Sequence, residues 1–189
     1  MDGGYTVKSY YFDSLFYSGF FEKEDGNYER KKYRVRTYGS TGYYILEKKI
    51  KRGSLNSKKS GEISAGDADL LIKGHTGIAT GNVVTDEIIS EMYMNGCRYA
   101  IYIEYIRQPF VLEDIDLRIT FDSGIGRVFG NYGLYELAPD PTPLFYNGET
   151  IMEIKYKETL PAWLMKAIYR NAPAEFSMSK YTESLRCFL

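Results

Sequence analysis

The chain has 189 residues, 44% hydrophobic and 26% charged, which suits one sizeable domain with its own core and excludes a disordered or fibrous protein. No apolar run approaches the roughly 20 residues of a membrane-spanning helix, so no membrane segment is expected in it. The net charge of −1 hides an asymmetry: Glu29 to Ser60 carry eleven Lys or Arg against two Glu, and the rest carries 13 basic and 23 acidic residues. Such a block inside a neutral protein points either to an anionic ligand or to a solvated basic face. No signal-like segment opens the chain, and Cys97 and Cys187 lack metal spacing, which predicts free thiols in a reducing, cytoplasmic setting.

In chain order, Thr6 to Phe12 is an aromatic and β-branched run that predicts a strand. Glu24-Asp25-Gly26-Asn27 is a turn signal, Tyr28 to Tyr38 the next strand, and Gly39-Ser40-Thr41-Gly42 the turn of a hairpin returning over Tyr43 to Lys51. Gly53 to Gly61, rich in Gly, Ser and Lys, reads as a loop. Asp67 to Lys73 reads as a short helix, and Val84 to Asn95 as a longer one with Thr85 as N-cap and Gly96 just past its end. Strands follow at Arg98 to Arg107, Asp116 to Phe121 and Thr150 to Tyr156. Leu160 to Arg170 predicts a helix with Pro161 in its first turn and Trp163 as a packing residue, and Tyr181 to Cys187 a final short helix.

The strands alternate apolar residues with charge. Arg34 and Arg36 share one face of their strand, as do Glu47, Lys49 and Lys51, then Asp116, Arg118, Thr120 and Asp122, then Glu153 and Lys155. Four such strands imply a sheet with a mostly cationic face. That face is either left in water, or closed into a barrel whose lumen needs a polyanion to offset the repulsion.

The order of short motifs is distinctive. Ser9-Tyr10-Tyr11-Phe12-Asp13-Ser14, Lys32-Tyr33-Arg34-Val35-Arg36 and Leu46-Glu47-Lys48-Lys49 come first. Tyr105-Ile106-Arg107-Gln108-Pro109-Phe110, Leu117 to Asp122, Met152 to Tyr156, Leu160 to Leu164 and Phe176 to Tyr181 follow. In this order and spacing the chain resembles the VTC (vacuolar transporter chaperone) domain, a polyphosphate polymerase domain of the triphosphate tunnel metalloenzyme superfamily, along essentially its whole length. The resemblance implies an α+β fold: an antiparallel β-barrel with a basic lumen and helices packed outside. It implies an enzyme that forms inorganic polyphosphate from the γ-phosphate of ATP with Mn2+ or Mg2+.

By the same resemblance Arg34, Arg36, Lys49, Lys59, Arg107, Arg118, Lys155 and Lys180 bind phosphates, and Glu153 holds the metal. Arg34, Arg36, Lys49, Arg118 and Glu153 form the catalytic set. Glu47, Asp122 and Glu104 are further carboxylates that assist the metal or orient lysines. Two departures stand out. The chain opens on Met1-Asp2-Gly3-Gly4 without the Glu-Leu-Lys-Tyr-like strand usual in VTC domains, so a truncated single domain and an incomplete barrel are expected. Glu175 also stands near where fungal members carry a further lysine. The alternatives are a tri- or polyphosphate hydrolase and a non-catalytic polyphosphate-binding module. Nucleic acid is not an expected partner, because aromatic residues are not interleaved along the basic faces as stacking platforms.

Overall fold

The computed structural model describes residues 3–171 and 177–189. Strands β1 (Tyr5–Ser14), β2 (Glu29–Tyr38), β3 (Tyr44–Arg52) and β4 (Leu55–Ile63) form one wing of a sheet; β5 (Cys97–Leu112), β6 (Leu117–Val128), β7 (Thr142–Pro143) and β8 (Ile151–Lys155) form the other. The helices are α1 (Ser18–Glu24), α2 (Ala65–Ile72), α3 (Val83–Met94), α4 (Ala162–Asn171) and α5 (Lys180–Arg186). The order across the sheet is β4-β3-β2-β1-β5-β6, with β7 and β8 both paired to the free side of β6, and every pairing is antiparallel. Lys58 of β4 and Glu153 of β8 nonetheless line the same cavity, so the sheet is curled until its two ends face each other. Among the described residues no backbone pairing joins β4 to β8, so the α+β barrel is curled but not closed.

Two-residue periodicity decides what lies on each side of the curl. Outward-facing Phe12, Tyr33, Val35 and Leu46 pack against Leu71, Ile72, Ile88, Ile89 and Met92 of α2 and α3. On the other wing, outward Leu117 and Ile119 pack on Leu164 of α4 together with Phe121, Met152 and Ile154. Each fully buried aliphatic side chain in these layers contributes about 1.5–3 kcal/mol. These three helices therefore cover the outside. The other two do not: Phe20 of α1 and Tyr181 and Leu185 of α5 pack on inward-facing Val7, Ile101 and Ile103. Asp13 fixes this inner layer by accepting from the backbone N–H groups of Gly19 and Phe20 and from the Tyr181 hydroxyl.

Several local expectations shift. The segment read as a loop over Gly53 to Gly61 is the edge strand β4; its polar faces carry no alternating burial signal, and all nine of its residues are paired with β3, which sets its extended form rather than packing of its own side chains. The N-cap of α3 is Asn82, whose side chain accepts from Val84 and Thr85 N–H. Thr85 instead is buried and donates its hydroxyl to the Glu62 carbonyl at 2.9 Å, tying α3 to β4. Gly61 permits this approach, since a Cβ there would fall 2.3 Å from Thr85 Oγ1. Trp163 is 56% exposed, and the packing residue of α4 is its neighbour Leu164. Cys97 and Cys187 are free. No helix among the described residues is long and apolar enough to cross a membrane. Glu175 and Phe176 lie outside the described residues.

Candidate functional site

The inner surface of the curl encloses a cavity of about 1070 Å³. Among the described residues twelve lysines and arginines line it, contributed by six strands and by α1 and α5, against two lining carboxylates, Glu47 and Glu153. Arg30, Lys32, Arg34 and Arg36 alternate along β2 because residues two apart on a strand share a face. Lys49 and Lys51 do the same on β3.

Buried carboxylates organise the cations. Arg34 donates through Nε to Glu47 Oε2 at 2.6 Å, its Nη2 lies 2.6 Å from the same oxygen, and Lys58 donates to Oε1 at 3.0 Å. Arg36 reaches Glu47 at 3.9 Å and donates to Ser9 Oγ and the Tyr105 hydroxyl. On the opposite wing, Asp122 is fully buried and accepts two bonds of 2.7 Å from Arg107, with Lys180 at 2.6 Å. Lys180 also stands 4.9 Å from the Tyr105 ring. Lys32 donates to Ser179 and Thr182, fastening the start of α5 to β2. Among the described residues no carboxylate pairs with Lys32, Lys49 or Arg118, so the cations outnumber their counter-ions inside a partly desolvated space. Like charges so placed repel strongly unless an anion comes between them.

The acidities of the lining groups follow from this excess. Burial would raise the Glu47 carboxyl, but Arg34 and Arg36 outweigh it and hold it down to about 2. Burial, then the Arg34 and Arg36 charges, push the Lys49 amine down to about 8. Burial would push the Tyr11 phenol up, yet Arg34 and Arg36, with a hydrogen bond from Arg34, bring it to about 7. Glu153 is held below the usual carboxylate range: burial opposes this, and Lys155 at 3.2 Å and Arg107 at 3.8 Å overcome it.

Of the residues singled out from the sequence, Arg34, Arg36, Lys49, Arg107, Arg118, Glu153, Lys155 and Lys180 all line this one cavity. Lys59 is not brought to it. In β4 its side chain points to the outer face and pairs with Glu87 of α3 at 2.6 Å, while the preceding Lys58 points inward. Glu104 also lies off the cavity, accepting from Tyr102 on the outer face. Glu47 and Asp122 orient cations, as described. Sequence reading passed over Arg30, Lys32, Lys58, Tyr11, Ser179 and Lys23. The first two carry the same period-two signal as Arg34 and Arg36; Lys58 needed the β3–β4 register, and Lys23 and Ser179 come from helix α1 and the segment preceding α5.

No cluster of three or more His, Cys, Asp or Glu occurs among the described residues. The donor set around Glu153 still fits a hard divalent ion of the kind that keeps its waters and takes one or two carboxylates plus phosphate oxygens. Glu153 is 42% exposed toward the cavity. Directly opposite it in the β6–β8 register stands Thr120, whose buried hydroxyl has no hydrogen-bond partner. An orphaned buried hydroxyl beside a reachable carboxylate suits an ion's bound water or a phosphate oxygen.

The sequence profile of the VTC domain matches residues 1–189. No curated protein matches the chain in sequence. Among solved structures, a putative adenylate cyclase from Bacillus halodurans superposes with a TM-score of 0.56 at 10% identity, covering 94% of this chain and 80% of its own. The PH1819 protein from Pyrococcus horikoshii superposes with a TM-score of 0.50 at 14% identity, covering 98% of this chain and 86% of its own. At these identities the likeness is one of fold.

Proposed function

The chain belongs to the VTC domain family of triphosphate tunnel proteins, and from that premise we propose that it is a metal-dependent phosphotransferase extending inorganic polyphosphate with the γ-phosphate of ATP. The observation that carries this reading is the convergence of twelve cations from six strands and two helices on one cavity whose one solvent-reachable carboxylate is Glu153.

Phosphoryl transfer asks the protein for in-line positioning and for neutralisation of charge on the oxygens, with little covalent help. Arg34, Arg36, Arg107 and Arg118 offer forked donors that fit phosphate oxygens, and Lys49, Lys155 and Lys180 supply compact charges between them. Glu47 and Asp122 keep the guanidinium planes fixed before substrate arrives, so less ordering is left to binding. Glu153 would hold a Mg2+ or Mn2+ ion, which would supply neutralisation of phosphate charge. The Thr120 hydroxyl is placed to donate to an oxygen beside Glu153. No side chain among those lining the cavity is set up as a protein nucleophile with an adjacent base, so the attacking atom is a terminal oxygen of phosphate or of the growing chain.

The test is incubation with ATP, Mn2+ and a short polyphosphate primer, read on a polyphosphate gel beside a free-phosphate assay. Long polymer is the expected product, lost in E153A and R36A. Free phosphate without polymer would make the protein a hydrolase, and binding without turnover a polyanion-holding module; either result overturns the polymerase reading.

A further inference from the structure

The cavity has a side as well as ends. Strand β4 is the last of one wing and β8 the last of the other along this stretch, and each is hydrogen-bonded on one edge only, β4 to β3 and β8 to β6. Among the described residues no strand pairing crosses the seam between them. Their charged side chains turn instead to partners on their own wing. Lys58 reaches Glu47 of β3 at 3.0 Å, and Lys155 reaches Glu153 of its own strand at 3.2 Å. Each bank is also backed by its own helix, β4 by α3 through Thr85 and β8 by α4 through Leu164, so neither needs the other to stay extended.

Both banks open on the same space. Asn56, Ser57 and Lys58 line the cavity from one side, and Glu153 and Lys155 from the other. The Lys58 and Lys155 side chains are 51% and 66% exposed, whereas those of Arg34 and Arg36 behind them are 7% and 10% exposed. The seam therefore carries a water-reachable cation on each bank in front of a buried cationic row. The free edge of β4 adds unpaired backbone N–H groups, neutral donors that suit phosphate oxygens.

We infer that a long polyphosphate enters this cavity sideways through the β4–β8 seam, so that an internal stretch of the chain is bound without a free end being threaded. A closed tunnel admits a polymer only by its ends, however long the polymer is. A slit offers its cationic row to every stretch of the chain. The polymer is charged alike throughout, so capture by Lys58 and Lys155 needs no particular register. A captured chain then slides along the row from Arg30 to Arg36, as proteins slide along a phosphate backbone, until its terminus stands beside Glu153. The inference rests on the phosphate-cavity reading above and adds how the polymer reaches that cavity.

The experiment uses a long polyphosphate whose two terminal phosphates carry biotin capped with streptavidin. The same polymer uncapped and linear tripolyphosphate are run beside it. Each competes with fluorescently labelled tripolyphosphate on the parent protein. The capped polymer is expected to displace the label at the same polymer concentration as the uncapped one. A capped polymer that fails to compete while the other two succeed overturns sideways entry and leaves the cavity reading standing. Tripolyphosphate that does not bind at all overturns the cavity reading, and sideways entry with it. A second arm bridges the banks with a bismaleimide in K58C/K155C/C187S, where the remaining native thiol, Cys97, is buried. Bridging is expected to abolish competition by the capped polymer, with tripolyphosphate binding as it does to the same variant before bridging. A bridged protein that still takes the capped polymer contradicts entry through the seam.

Discussion

Arg34 and Glu47 stand directly opposite each other on β2 and β3, and both Nε and Nη2 of the guanidinium lie 2.6 Å from one carboxylate oxygen. Both side chains are buried, and the same carboxylate also holds Lys58. Removing one partner of a buried ion pair leaves an uncompensated charge, so E47Q is expected to lower stability by about 3–5 kcal/mol. Tripolyphosphate supplies the missing anion, so saturating ligand should recover much of that loss. Urea denaturation with and without tripolyphosphate measures both effects.

The same carboxylate sets an acid limit. Its folded pKa of about 2 lies below its ordinary 4.5, so its contribution is complete above pH 4.5 and fades as pH falls toward 2. The parent should therefore lose stability through that window, and E47Q should show a flatter profile there.

At high pH the sign reverses for the ligand. Lys49 is held at about 8 and Tyr11 at about 7, each below its ordinary value, so the empty protein binds fewer protons at these groups than the unfolded chain does. Stability of the empty protein should rise as pH climbs from 7 to about 10, and affinity for tripolyphosphate should fall over the same range as positive charge leaves the cavity. K49Q combined with Y11F should flatten both curves.

Lys58 and Lys59 are neighbours in sequence on opposite faces of β4. K58Q is expected to weaken tripolyphosphate binding several-fold, and K59Q, which removes only an exposed pair worth about 0–1 kcal/mol, should leave it unchanged. Fluorescence competition on the two single variants decides between the two faces.

Gly61 lets α3 approach β4. G61A places a methyl against Thr85 Oγ1 and should cost about 1–3 kcal/mol by overpacking, without altering the metal dependence of turnover. Thermal unfolding beside an Mn2+ titration separates this structural effect from a catalytic one.

How much of this was visible in the sequence follows from which signals are local. The cationic faces of β2, β3, β6 and β8 were legible because alternation alone puts Arg34 with Arg36 and Glu153 with Lys155. Strand β4 was not, because its polar residues carry no alternation and its extended form comes from pairing with β3. Helix α1 was invisible for a related reason: it is only seven residues long, about two turns, after a left-handed Tyr17, and N–H groups of its first turn are satisfied by Asp13 from the preceding strand. The assignment of Lys59 rather than Lys58 to the cavity is the one-residue error that a missed strand produces. Pairs such as Arg107–Asp122 and Lys32–Ser179 join distant segments and needed the fold itself.

On the proposed function, Arg34 and Arg36 face a space that a phosphate chain fills. Calorimetric titration of tripolyphosphate into the parent and into R34Q/R36Q tests it most directly. One saturable site is expected in the parent and a loss of about 100-fold or more in the variant, since each lost charged hydrogen bond is worth about 1.5–3 kcal/mol. Equal affinity in the two proteins, with both folded, would contradict it.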